Sequence, residues 1–193
     1  MAALDDFNAE PADRAVQALR ACNAAPRFAA GVVAGRPYPD VDALVARAEE
    51  VVRGLPWEEV ELAIAVHPRI GDRPEGSSPE AEASRREQSV VGGADDETRA
   101  ALAEGNRAYE ERFDRVFLVR AAGRSPEELL AELRRRLDND EETERAEVTG
   151  QLAEITALRV RELVSASATD ERASQRAPAS EERNESGAEP ERS

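Results

Sequence analysis

The chain has 193 residues, long enough to bury a core, but only 4% of them are aromatic and the formal net charge is −15. A polyanion of this kind repels phosphate backbones, so broad nucleic-acid binding is excluded. The absence of any Lys excludes Schiff-base chemistry and a Walker-A phosphate site, and a single Cys and a single His leave no zinc cluster and no internal disulfide.

Taken in chain order, the pattern predicts about eight helices and no sheet. The opening MAALDDFNAE carries acids where a signal peptide needs basic and apolar residues, and no apolar run approaches the ~20 residues of a membrane span. A cytoplasmic protein without membrane contact is therefore expected, and Cys22 suits a reducing compartment. Helices are expected over Pro11 to Ala21 and Pro26 to Ala34. Another is expected from an Asp40 cap to Gly54, and a fourth from Trp57 to His67, stopped by Pro68. Gly71 to Ser78 reads as a polar loop, and Pro79 starts a helix to about Val91. Asp95 opens a longer helix reaching Phe113. The apolar run Val116 to Val119 fits either a short extended piece or the end of that helix, and periodicity alone leaves both open. Ser125-Pro126-Glu127-Glu128 is a capping box that launches a helix to about Leu137, and the last helix spans Glu141 to Leu163. Residues 167–193 carry no apolar period and are expected to form a disordered acidic tail. That leaves 1–166 as one compact all-α domain.

Three sets of polar residues fall where the pattern calls for apolar ones. His67 shares a helix face with Trp57, Val60, Ala63 and Ile64. At a helix C-terminus the dipole is expected to favour imidazolium and lift its pKa above the usual ~6.5. Such a histidine suits general acid–base work, and equally a core position satisfied by a carbonyl. Ser84, Glu87 and Gln88 stand at i, i+3 and i+4, which places a hydroxyl, a carboxylate and an amide on one helix face. That face suits either a small polar ligand or solvent. In the last helix Arg159 lies within the stripe of Val148, Leu152, Ile155 and Leu163, while Arg161 points almost opposite. A guanidinium there needs a buried partner, either an anionic ligand or an internal carboxylate. Cys22 reads as a small core residue, Asp95 and Asp96 as helix-start acids, and Arg134-Arg135-Arg136 as a solvated helix end.

The string His67-Pro68-Arg69-Ile70-Gly71-Asp72, followed by Ser84-x-x-Glu87-Gln88, resembles the family of 2-oxo-4-hydroxy-4-carboxy-5-ureidoimidazoline (OHCU) decarboxylases. Phe7-Asn8, Arg36-Pro37-Tyr38 and Asn106-x-x-Tyr109-x-x-x-Phe113 extend the likeness. So do Phe117-Leu118-Val119, Gly123-Arg124-Ser125 and Leu158-Arg159-Val160, and the whole covers about residues 4 to 165. Asp114 departs from a frequent Gly, and Arg120 from a frequent Cys.

The resemblance implies an all-α fold and a cofactor-free, metal-free decarboxylation of a small anionic product of urate oxidation, giving (S)-allantoin and carbon dioxide. It implies catalysis by His67 and Glu87. Ser84, Gln88 and Arg159 are implied in substrate binding, with Pro68 lining the site and a main-chain contact near Val119. A homodimer is implied as well. On this reading Glu87 hydrogen-bonds His67 and orients it. Two other readings are a non-catalytic helical interaction module and an enzyme acting on another small ureido acid.

Overall fold

The computed structural model describes residues 2–70 and 94–174, with side chains placed for 4–70 and 94–165. Eight helices and no strands make up the regular structure of the described residues: α1 (Ala2–Ala9), α2 (Ala12–Arg20), α3 (Phe28–Val33), α4 (Val41–Arg53), α5 (Trp57–Ile64), α6 (Asp96–Phe113), α7 (Pro126–Arg136) and α8 (Glu141–Ser174). None of them is long and apolar enough to cross a membrane. The loop at Gly71 to Ser78 and the helix expected from Pro79 lie outside the described residues.

Local chemistry sets the starts of α4, α6 and α7. The Asp40 side chain accepts from the Ala43 N–H at 2.7 Å, and Asp95 from the Thr98 N–H at 2.7 Å. Each satisfies one of the donors a helix N-terminus leaves unpaired. Ser125 and Glu128 form the expected capping box with Pro126 in the first turn. Gly123, at φ 81°, makes the turn that feeds it, a conformation open chiefly to glycine.

Three boundaries differ from the sequence reading. α1 was not anticipated, because its acids mask a short apolar face in which Leu4 and Phe7 are buried. α5 ends at Ile64 rather than His67, which follows in a turn closed by its own N–H on the Ile64 carbonyl at 2.9 Å. α8 runs to Ser174, beyond the expected end at Leu163 and into the segment read as tail. Ala, Glu and Arg there are good helix formers, and extending an existing helix needs no new nucleus. Residues 175–193 of the expected tail lie outside the described residues.

Two apolar clusters form the core. The larger gathers residues of α1 to α5 around α8, with α4 lying along α8; the smaller joins α6 and α7 with Ile70 and Ala121. Gly105 lets α6 and α7 approach closely, since a Cβ there would collide with the Leu133 side chain. The run Phe117–Val119 threads between the clusters. Leu118 packs into the larger one, Phe117 and Val119 into the smaller. This alternation is the period of two of an extended chain, and it resolves the ambiguity left by the sequence. α6 stops at Phe113 because Asp114 turns left-handed, at φ 53°.

The separated motifs join in space. The Asn8 side chain donates to the Tyr38 carbonyl and accepts from the Tyr38 N–H, each at 2.9 Å. Arg36 donates to the carbonyls of Phe7 and Glu10 at 2.7 and 2.8 Å, covering the end of α1.

Candidate active site

The loop after α5 is anchored at its far end. Asn106, buried on α6, donates from Nδ2 to the Ile70 carbonyl at 2.9 Å. Arg69 spans both carboxylate oxygens of Glu110 on α6, with Nη2 at 2.6 Å from Oε2. These ties fix the path of His67-Pro68-Arg69-Ile70, and with it the direction of the imidazole.

The His67 Nδ1 lies 3.0 Å from the Ala63 carbonyl, a contact that only an Nδ1–H can make favourable. Nε2 then carries the lone pair. It is shielded from solvent and has no hydrogen-bond partner among the described residues. Burial is the main force that pushes the His67 pKa down, to about 4; the positive charge of Arg159 adds to it, and the Ala63 carbonyl opposes it. The expected upward shift is therefore reversed. The helix ends three residues earlier, and desolvation of a cation outweighs a dipole felt only within the last turn. At neutral pH His67 is a neutral imidazole with an unprotonated, buried Nε2.

Arg159 is 7% exposed on α8. Of its expected stripe, Val148, Leu152 and Ile155 are buried in the core and Leu163 is half-buried against it. Arg161 instead reaches out to Asp42 at 2.6 Å, with both side chains exposed. The structure thus brings His67 and Arg159 into electrostatic contact and leaves Arg161 outside. Beneath them Asn23 donates to Thr156 at 2.9 Å, one turn before Arg159, and both residues are buried. Cys22 beside them is a core residue; burial pushes its thiol up to about 12 against the pull of Arg159, so it is no nucleophile.

Pro68 is half-buried next to His67, and Val119 is buried on the extended run. Ser84, Glu87 and Gln88 lie outside the described residues. A surface concavity of about 440 Å³ flanks the His67–Pro68 loop on the α6 side, bounded by Arg69, Glu110, Asp114 and Arg115. Arg159 is not in its wall, so this concavity is not where the imidazole and guanidinium meet.

The sequence reading of Arg136 as solvated is overturned. Its side chain is fully buried, as is that of Glu144, and the two form an ion pair. Nε lies 2.9 Å from Glu144 Oε1, and Nη1 donates to the Leu118 carbonyl at 2.7 Å. The guanidinium sits 4.7 Å over the Phe117 ring. Tyr109 donates to Glu144, and Asn139 does so at 2.8 Å. A buried charge survives only when paired and hydrogen-bonded in this way. The signal was present in the sequence: Arg136 stands at i+7 from Leu129 and i+3 from Leu133, both buried, while Arg134 and Arg135 fall off that stripe.

The chain is similar to known proteins in sequence and in fold. A family model described as OHCU decarboxylase matches residues 8–161. The 2-oxo-4-hydroxy-4-carboxy-5-ureidoimidazoline decarboxylase of Amia calva is 30% identical over 146 residues, covering 75% of this chain and 83% of that protein. The enzyme of the same name from Haloferax volcanii is 29% identical over 128 residues, covering 66% and 74%. A crystal structure of OHCU decarboxylase in the presence of (S)-allantoin superposes with a TM-score of 0.64 at 22% identity, over 76% of this chain and 96% of that one. A structure of (S)-allantoin synthase gives the same TM-score of 0.64 at 14% identity, over 83% of this chain and 53% of the other.

Proposed function

The chain belongs to the OHCU decarboxylase family and is a carboxy-lyase, and we propose that it makes (S)-allantoin with His67 handling the proton. The observation that carries this reading is the buried, neutral His67 Nε2 beside the buried Arg159 guanidinium.

Loss of carbon dioxide from a carboxylate breaks one C–C bond and leaves its electron pair on the ring. A C–H bond then replaces it, and one proton is consumed overall. A neutral imidazole cannot donate first. His67 therefore takes the substrate's hydroxyl proton onto Nε2 as carbon dioxide departs, and then returns it to the ring carbon. The ring recovers from water the one proton the reaction consumes. Arg159 holds the negative charge of the substrate, and its field favours discharge of the transient imidazolium. Glu87 stabilises the transient imidazolium with its negative charge. Ser84 and Gln88 bind the ring and ureido edges, Pro68 shapes the wall, and the main chain at Val119 supplies one further contact. One fixed pose delivers the proton to one face, which gives a single enantiomer. The reading includes a homodimer and a place in urate degradation.

The test is a circular-dichroism assay of allantoin formed from freshly generated substrate. The chain should yield an excess of the S form well above spontaneous decay. His67→Asn should lower the rate by roughly 10²- to 10⁴-fold and abolish the excess. Arg159→Met should lower kcat/KM by about tenfold or more, the worth of a charged hydrogen bond. Arg161→Met should change neither. Racemic product at the spontaneous rate from the unaltered chain would overturn the function, and stereospecific turnover by His67→Asn would remove His67 from it.

A further inference from the structure

In an extended chain the main-chain groups of alternate residues point to opposite sides. Along Phe117–Arg120 the two sides are treated differently. The Leu118 carbonyl accepts from Arg136 at 2.7 Å, and the Arg120 N–H donates to Gln151 Oε1 at 2.8 Å. Both lie on one side of the run. Phe117 and Val119 direct their main-chain groups to the other side, and neither has a main-chain bond among the described residues. Val119 is nevertheless 6% exposed. A buried peptide group left without a partner is costly, and such groups are rare unless a ligand or water completes them.

We propose that Arg136 and Gln151 are positioning residues that clamp Phe117–Arg120 so that the N–H and C=O of Val119 face the substrate. The inference rests on the reading of Val119 as a substrate contact and adds what aims it. Arg136 is suited to the task because its own geometry is over-determined. Glu144 fixes Nε, the Phe117 ring lies under the guanidinium plane, and Nη1 is left for Leu118 alone. A planar fork fixes the directions of its bonds to a carboxylate and a carbonyl together, whereas an ammonium on a flexible stem leaves them free to turn. Gln151 lies on α8 about two turns before Arg159, about 12 Å along the axis and about 80° round it. One helix thus carries both the anion-binding guanidinium and the clamp on the extended run. Neither Arg136 nor Gln151 touches substrate, so their loss should weaken its binding without changing the proton chemistry.

Gln151 is half-buried, so Gln151→Met removes the acceptor without emptying the core. Its KM should rise about fivefold, the usual worth of one hydrogen bond, with kcat within a factor of two. Gln151→Glu keeps an acceptor for the Arg120 N–H and should restore the original KM. Arg136→Lys should raise KM similarly, together with a lower Tm. Val32→Ala, a core truncation in α3, should lower Tm and leave KM alone. An amide spectrum of the unaltered chain should show the Val119 signal moving when (S)-allantoin is added, and that movement should vanish in Gln151→Met. An unchanged KM in Gln151→Met, failure of Gln151→Glu to rescue, or a KM that follows Tm in Val32→Ala overturns the clamp. Absence of turnover by the unaltered chain refutes the proposed function instead. The Val119 signal is then decisive for the clamp on its own, and no movement with allantoin overturns it.

Discussion

A buried imidazole that has committed its Nδ1–H to Ala63 takes a second proton only at low pH, and this ties the chemistry of His67 to stability. In the unfolded chain His67 titrates near the ordinary ~6.5; in the folded chain it titrates at about 4. Between those values the unfolded state binds more protons than the native one, so stability falls as pH falls. The contribution is fully present above the unfolded value and wholly lost below the folded one, and it amounts to roughly 3 kcal/mol at 1.36 kcal/mol per unit. His67→Asn removes the titration and leaves every carboxylate in place. Urea unfolding from pH 7.5 to 4 should therefore show the variant losing less stability than the parent by up to that amount. Parallel curves would mean that His67 charges as easily folded as unfolded. The same residue shows where sequence reading stops. Its place on an apolar face was legible from Trp57, Val60 and Ile64. The sign of its pKa shift was not, because that depends on how deeply Nε2 is enclosed and on Arg159, 92 positions away in the chain.

Elements were legible where their signals are local. The Asp40 and Asp95 caps and the box at Ser125 are set by residues three apart, and each formed as its spacing requires. The run after α6 was not legible by periodicity, because four apolar residues fit a helix end as well as an extended piece. The deciding fact is the left-handed Asp114, whose N–H still bonds the Glu110 carbonyl at 2.9 Å. A side chain in the left-handed region is strained, although Asp tolerates it better than most, and Gly carries no such strain. Asp114→Gly should therefore raise stability by up to about 1 kcal/mol, less the extra freedom glycine gains on unfolding. A shift of Tm upward by a few degrees with unchanged kcat and KM is the expected result. A lower Tm would show that the carboxylate stabilises the turn in a way its backbone does not reveal.

At the scale of the molecule, the two apolar clusters act as one body only if the links between them hold. Those links are few and specific. Arg136 ties α7 to Leu118, and Asn106 holds Ile70, at the end of the loop that leaves α5, against α6. Leu118 inserts into the larger cluster between neighbours that belong to the smaller. The sequence announced a helical core but not this division, since which apolar stripe meets which is a long-range matter, and Arg136 hid a tertiary link behind the look of a charged helix end. The arrangement predicts cooperative unfolding with Leu118 as its weak point. Leu118→Ala removes buried methyl groups that the surroundings cannot fully replace, a loss of about 2–5 kcal/mol. Trp57, the single tryptophan, sits at the edge of the larger cluster with Arg115 of the α6–α7 side 4.7 Å over its ring. Its fluorescence therefore reports on the larger cluster, and far-UV circular dichroism on all helices. In the parent the two denaturation curves should coincide, and in Leu118→Ala they should shift together to a lower midpoint. If fluorescence held its midpoint while ellipticity fell in two steps, the clusters would be separable units and the extended run a linker between them. The observed packing of Leu118 argues for the single transition, because its side chain cannot leave one cluster without withdrawing Phe117 and Val119 from the other.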